Sequence, residues 1–177
     1  HQVREDLQLT TKGIYEKMVK GWAGVVGKFR IVTNEHVNMI EYALEKYKGV
    51  SVMLVTGSER DPKLVIENRK ILEKIFQGKP VEFFIARTGN IIALERKTRN
   101  PIVAYVCGPD RKTAYEGQLQ NMNSDAIVDI YDRGKRDTVS ATKAEEALRK
   151  GDLGTLSRIV HPIAFQNISK WSKFYKE

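Results

Sequence analysis

Four side chains able to handle a phosphate fall in one short segment: Lys28, Arg30, Thr33 and His36. The two cations bring full positive charge, while the hydroxyl and the imidazole can donate hydrogen bonds. Before them, Val25-Val26-Gly27 closes an apolar run. After them, Val37, Ile40, Tyr42, Ala43, Leu44 and Tyr47 recur at helical spacing. The segment therefore reads as strand, loop, helix. A loop that opens a helix presents backbone N–H groups and the positive end of the dipole, which suits phosphate.

The elements that must position this loop follow from the same patterning. Residues 22–29 read as the first strand, nearly all apolar and small, as a central parallel strand covered on both faces requires. A helix is expected over 34–48, broken by Gly49, then a strand over 50–56. Pro62 starts a helix whose buried stripe is Leu64, Ile66, Ile71, Leu72, Ile75 and Phe76. Gly78-Lys79-Pro80 turns into a strand over 81–86, a helix covers 90–97, and Pro101 precedes a strand over 102–107. That strand runs into Gly108-Pro109-Asp110-Arg111 and a helix carrying Tyr115 and Leu119. A fifth strand is expected over 125–130, a charged loop over 131–138, and a helix from Ser140 or Ala141 through Ala144, Ala147 and Leu148. Gly151-Asp152 separates it from a helix with Leu153, Leu156, Ile159 and Val160 inward. Pro162 begins an amphipathic tail with Ile163, Phe165, Ile168, Trp171 and Phe174 on one side. Strands alternating with helices predict a parallel sheet with right-handed crossovers.

The 177 residues suffice for one domain with a core that needs no staples. Residues 22–177 read as that domain and 1–21 as an arm, docked through Ile14, Met18 and Val19. The first residue is not Met, so an N-terminus that was trimmed or given extra residues is expected. Cys107 is the sole cysteine, which excludes an internal disulfide and fits a reducing, cytoplasmic compartment. No apolar run approaches a membrane span and no signal-peptide pattern opens the chain, so no membrane partner is expected. No His, Cys, Asp or Glu spacing suits zinc, so no protein-held metal site is expected; His1 and His161 read as structural and Cys107 as packing. The formal charge of +8 and pI near 9.5 favour anionic partners: nucleotides, nucleic acid or an acidic protein surface. No basic motif interleaved with aromatics appears, so the charge reads as a surface bias and not a dedicated nucleic-acid groove.

Gly27-x-Phe29-x-x-x-Thr33-x-x-His36 resembles the Gly-x-Phe…(His or Thr)-x-Gly-His signature of the nucleotidyltransferase superfamily of cytidylyltransferases and adenylyltransferases. Val139-Ser140-Ala141-Thr142-Lys143 resembles that superfamily's Ile-Ser-Ser-Thr-x-x-Arg segment, and Glu146 to Asp152 its usual continuation. Gly108-Pro109-Asp110 resembles the Gly-(Ser/Ala/Pro)-Asp found there at a strand end. Residues 57–63 with the helix bearing Arg69 look like phage and viral members, although Arg69 itself reads as a solvated helix charge. The resemblance implies an α/β fold, a Rossmann-like doubly wound parallel sheet of about five strands with helices on both faces and C-terminal helices. It implies transfer of a nucleotidyl group from ATP or CTP, with Mg²⁺, to a phosphate- or hydroxyl-bearing acceptor, releasing pyrophosphate. His36 and Thr33 would then hydrogen-bond the reacting phosphate, and Lys28, Arg30 and Lys143 would neutralise charge. Gly27, Phe29, Gly108, Asp110 and Arg111 would border the nucleotide, and Ser140 and Thr142 would hold the outgoing phosphates.

Two positions depart from that pattern. Glu35 stands where the family has glycine, and Glu145 where it has arginine. A carboxylate at either place repels phosphate. Two readings follow. One is an active enzyme with rewired triphosphate contacts, using Lys28, Arg30, Lys143 and the basic run Arg133 to Arg136. The other is a degenerate member that keeps the fold and uses its basic surface to bind nucleic acid or a protein partner. The acidic pair weighs toward the second. In either case the segments around His36, Asp110 and Ser140 are expected to meet at the carboxyl edge of the sheet.

Overall fold

The computed structural model describes residues 21–57, 63–132 and 140–168, with the side chains of 140 and 141 excepted. The expected arm, the loop before Lys63, the basic run after Asp132, and Trp171 and Phe174 lie outside the described residues. Five strands, β1 (Trp22–Gly27), β2 (Gly49–Val55), β3 (Val81–Ala86), β4 (Ile102–Cys107) and β5 (Ile127–Ile130), form one sheet. Its order is β3-β2-β1-β4-β5, and every pairing is parallel. The helices are α1 (Asn34–Lys46), α2 (Lys63–Ile75), α3 (Ile91–Lys97), α4 (Lys112–Asn121), α5 (Ser140–Lys150), α6 (Leu153–Ile159) and α7 (Pro162–Gln166). A 3-10 turn, Pro109–Arg111, leads into α4.

The winding follows from handedness. From β1 the chain moves outward to β2 and β3, then returns to place β4 on the other side of β1. Right-handed crossovers in opposite directions put their helices on opposite faces. On one face, Val37, Ile40 and Ala43 of α1, Leu64, Val65, Ile71 and Leu72 of α2, and Ala144, Ala147, Leu148, Leu156 and Ala164 of α5–α7 share a core with Val25, Val50, Val52 and Leu54. On the other, Ile91, Leu94, Tyr115 and Leu119 of α3 and α4 pack with Met53, Val55, Tyr105 and Cys107. Strand β2 is buried along its whole length, its side chains divided between the two cores by the period of two. Burying each large apolar side chain is worth about 1.5–3 kcal/mol. Exposed pairs such as Arg69–Glu73 (2.9 Å) and Lys112–Glu116 (3.8 Å) add at most about 0.5 kcal/mol each, so the stripes hold the helices.

The elements fall within a residue or two of the expected limits, with three instructive differences. Strand β1 stops at Gly27 because Phe29 takes a left-handed backbone, φ 46°, which no strand accommodates. Gly49 does not merely end α1 but starts β2, pressed so close to the Trp22 ring that an added Cβ would lie 2.7 Å from it. Among the described residues the amphipathic tail is helical from Pro162 to Gln166, breaks in a turn at Asn167 and is helical again at Ile168. Among the described residues no helix is long and apolar enough to cross a membrane.

Gly24 sits in the centre of β1 beneath the fully buried Tyr105, whose hydroxyl donates to Glu95 at 2.5 Å. A Cβ there would come within 2.7 Å of the Tyr105 ring and 3.0 Å of Leu94. Since both neighbours are locked in the core, Gly24→Ala is expected to cost about 1–3 kcal/mol by overpacking, measured by urea unfolding.

Candidate functional site

The strand order reverses between β1 and β4, and in open parallel sheets the crevice beyond the carboxyl ends at that point receives ligands. The loop at residues 28–33 leaves β1 at this crevice, and Gly108 with the 3-10 turn leaves β4 beside it. Both segments singled out in the sequence thus come to one edge. The third, at the start of α5, is joined to the first by an ion pair: Arg30 Nε lies 3.5 Å from Glu145 Oε1.

The loop is organised from beneath. Thr33 is 0% exposed and caps α1, its hydroxyl accepting from the His36 N–H at 3.3 Å. The Thr33 N–H in turn donates to His36 Nδ1 at 3.3 Å, completing a capping box with histidine in the usual place of glutamate. An Nδ1 that accepts is unprotonated, so the neutral ring carries its proton on Nε2. Phe29 packs edge-on against the imidazole, with ring centroids 4.7 Å apart, and is 2% exposed. A Cβ on Gly27 would meet that ring at 3.1 Å, which is the reason a glycine precedes it. Thr33 and Phe29, expected as groups that touch phosphate or nucleotide, are both buried, and each contacts His36.

Asn68, wholly buried on α2, is a functional neighbour of the loop that the sequence pattern did not single out beside Arg69. Its Nδ2 donates to the carbonyl oxygens of Phe29 and of Arg30, the latter at 2.9 Å. The signal was available, since Asn68 falls on the Leu64–Ile71–Leu72 stripe, where a polar side chain must find a partner. Arg69 pairs with Glu73 one turn along the helix and is a solvated charge, as expected. The other side of the loop is stitched to the C-terminal helices. Thr33 bridges Val160, the His161 N–H reaches the Val32 carbonyl at 3.4 Å, and Asn34 Nδ2 donates to the Arg158 carbonyl at 3.2 Å.

Of the remaining candidates, Lys28, Asp110, Arg111, Thr142 and Lys143 are exposed, and Gly108 is partly covered. Ser140 opens α5, its side chain lying outside the described residues. Glu35 is half-buried in the first turn of α1, where the helix dipole favours a carboxylate. Cys107 is buried at the end of β4. Desolvation first, and then the Asp110 charge, push its thiol up to about 11, which fits packing and not nucleophilic attack. His161 caps α7 through Nδ1, 3.2 Å from the Ile163 N–H, and burial lowers its basicity. A groove of about 290 Å³ lined by Arg69, Phe76, Lys79 and Phe83 lies at the outer edge strand β3, away from this crevice.

A second polar network fixes the far half of α1. Asp129 on β5, 7% exposed, accepts from Tyr42 at 2.8 Å, Lys46 at 2.8 Å and Tyr47 at 2.6 Å. Burial works to raise its carboxyl, but the three donated bonds and the Lys46 charge outweigh it and hold the group below its ordinary value. Lys46 is likewise opposed by burial yet raised by its bond to Asp129. Tyr42 also stacks on Tyr131, just beyond β5, at 4.8 Å.

No family model matches the chain. Solved structures do. One is a bifunctional NMN adenylyltransferase/ADP ribose pyrophosphatase from Francisella tularensis, with TM-score 0.61 and 16% identity over 86% of this chain. The chain spans only 50% of that protein's length. A protein of Vibrio parahaemolyticus assigned as a nicotinate-nucleotide adenylyltransferase gives TM-score 0.63 at 12% identity, covering 88% of this chain and 98% of that one. The nicotinic acid mononucleotide adenylyltransferase of Plasmodium falciparum, complexed with APC, gives 0.59 at 12%, covering 88% and 97%. At such identities the likeness establishes the Rossmann-like α/β fold.

Two substitutions test this framework. Asn68→Ala orphans buried carbonyls and is expected to cost about 1–3 kcal/mol in urea unfolding, with Asn68→Asp worse because it sets a carboxylate against them. Asp129→Asn should leave a stability deficit with a defined pH profile. A depressed carboxyl contributes stability above its unfolded value that is lost as pH falls through the folded value. The raised Lys46 contributes below its ordinary value and loses that as pH rises through the folded one. The deficit is therefore expected to be flat between about pH 5 and 10 and to close on acidification, read from thermal unfolding at stepped pH.

Proposed function

We propose that this protein binds a nucleoside triphosphate in the crevice between β1 and β4 and transfers its nucleotidyl group to a phosphate- or hydroxyl-bearing acceptor. The observation that carries the reading is the capping box. It fixes His36 at the start of α1, at the sheet's switch point, with Nδ1 engaged by the Thr33 N–H, and in this reading the Nε2 N–H donates to phosphate. The fold it shares with three adenylyltransferases makes ATP the first triphosphate to test, with CTP the second. The acceptor oxygen forms a bond to the α-phosphorus as the bond from that phosphorus to the bridging oxygen breaks, and pyrophosphate leaves with the electron pair. His36, Lys28, Arg30 and Lys143 act by positioning and by offsetting charge, as such a reaction requires. Arg111, Thr142 and Ser140 border the triphosphate.

Among the described residues no cluster of His, Cys, Asp or Glu could hold a metal ion by itself. Mg²⁺ needs few protein ligands when phosphates supply the others. It would arrive on the triphosphate, with exposed Asp110 as the carboxylate at this edge able to share it, and would supply neutralisation of phosphate charge.

Calorimetric titration with ATP and Mg²⁺ is expected to show saturable binding, and pyrophosphate release should appear with phosphate- or hydroxyl-bearing acceptors. His36→Ala should weaken binding about tenfold or more and abolish turnover, while costing only about 1 kcal/mol of stability through the broken cap. Absence of binding to both ATP and CTP would defeat the reading. A salt-sensitive gel shift in that protein would favour a non-catalytic fold that holds nucleic acid on its basic surface.

A further inference from the structure

We infer that Glu145 is a positioning residue that holds the Arg30 guanidinium at the triphosphate crevice. The inference rests on the nucleotide-binding reading and deepens it, because it changes the role of one of the two acidic residues that weigh against that reading. Glu145 is the more buried partner, its side chain 17% exposed against 41% for Arg30. Its carboxylate faces into the protein, toward Nε, and the cation is the member that reaches solvent. Arg30 Nε is itself shielded from water, so the exposure lies elsewhere on the side chain, and its contact with Glu145 is an ion pair without a hydrogen bond. A guanidinium is a rigid plane of N–H donors, and a carboxylate held 3.5 Å from Nε biases where that plane lies. The root of the same side chain is fixed too, because Asn68 holds the Arg30 carbonyl at 2.9 Å. The arginine is thus held by a hydrogen bond at its backbone and by the Glu145 charge at its Nε, on the loop that also presents His36.

Stability does not explain the pair. A half-exposed bridge contributes little to folding, as its Coulomb gain is screened and offset by the ordering of two long side chains. Its effect on charge is larger. Alone, Glu145 would repel a phosphate. Paired, its charge is matched locally, and a bidentate phosphate donor is pre-ordered before the ligand arrives.

The test compares Glu145→Gln, Glu145→Asp, Arg30→Gln and the double variant Arg30→Gln/Glu145→Gln. Glu146→Gln, at the exposed neighbouring position on α5, controls for net charge. Each is titrated with ATP plus Mg²⁺ and, separately, with inorganic pyrophosphate, and its thermal midpoint is recorded. Glu145→Gln is expected to weaken both ligands about fivefold at an unchanged midpoint, the full coupling of a half-exposed pair. Glu145→Asp should keep most of the affinity and Glu146→Gln all of it. Arg30→Gln should lose about tenfold or more, with no further loss in the double variant. Unchanged or tighter binding by Glu145→Gln would overturn the inference and leave nucleotide binding standing. Failure of the unmodified protein to bind either ligand would remove both.

Discussion

A buried backbone group has nowhere to send its dipole except into the protein, and the connection from β1 to α1 obeys that constraint from Phe29 to Thr33. The carbonyl groups of Phe29 and Arg30 go to Asn68, that of Val32 to the His161 N–H, and the Thr33 N–H to the His36 ring. Each partner comes from a different part of the chain, so satisfying the loop fixes the placement of α2, of the α6–α7 junction and of the first turn of α1. An unmade bond of this kind costs more than a made one contributes. The loop is accordingly held by necessity, and the side chains it presents are held with it.

Much of this architecture could be read from residue order. Apolar runs of strand length alternating with helical stripes gave the five strands and their parallel arrangement, and the phosphate-suited residues marked the β1–α1 connection. What escaped was every feature created by long-range polar pairing. Asn68 lies beside the more conspicuous charge of Arg69, yet the polar residue on the apolar stripe is the informative one. Asp129 stands alone among Ile127, Val128 and Ile130, an acid in an otherwise apolar strand, and its three donors come from α1 and its C-cap residue Tyr47, on the far side of the intervening sequence. Periodicity reports which face a residue occupies. It does not report who waits there.

The electrostatics of the crevice show the same gap between local and global reading. By position alone, Glu35 and Glu145 are two negative charges set in phosphate-suited segments. In three dimensions Glu145 lies against a cation from the other segment, and Glu35 occupies a helix start where the dipole favours it. A charge in a sequence has a sign. Only in a structure does it have a neighbourhood, and the field felt by a ligand is set by the neighbourhood.

The stitching of Val32, Thr33 and Asn34 to residues 158–161 also bears on how the molecule comes into being. The sheet's inner strands can pair once β4 has emerged, but the loop that presents His36 lacks its last partners until the segment beyond α6 has been synthesised and has docked. A nascent chain paused after β5 would therefore carry an assembled scaffold and an unfinished crevice. Contacts of such wide sequence separation are closed late because their loop entropy must be met before they contribute. The last contacts at this edge thus close late, by topology alone.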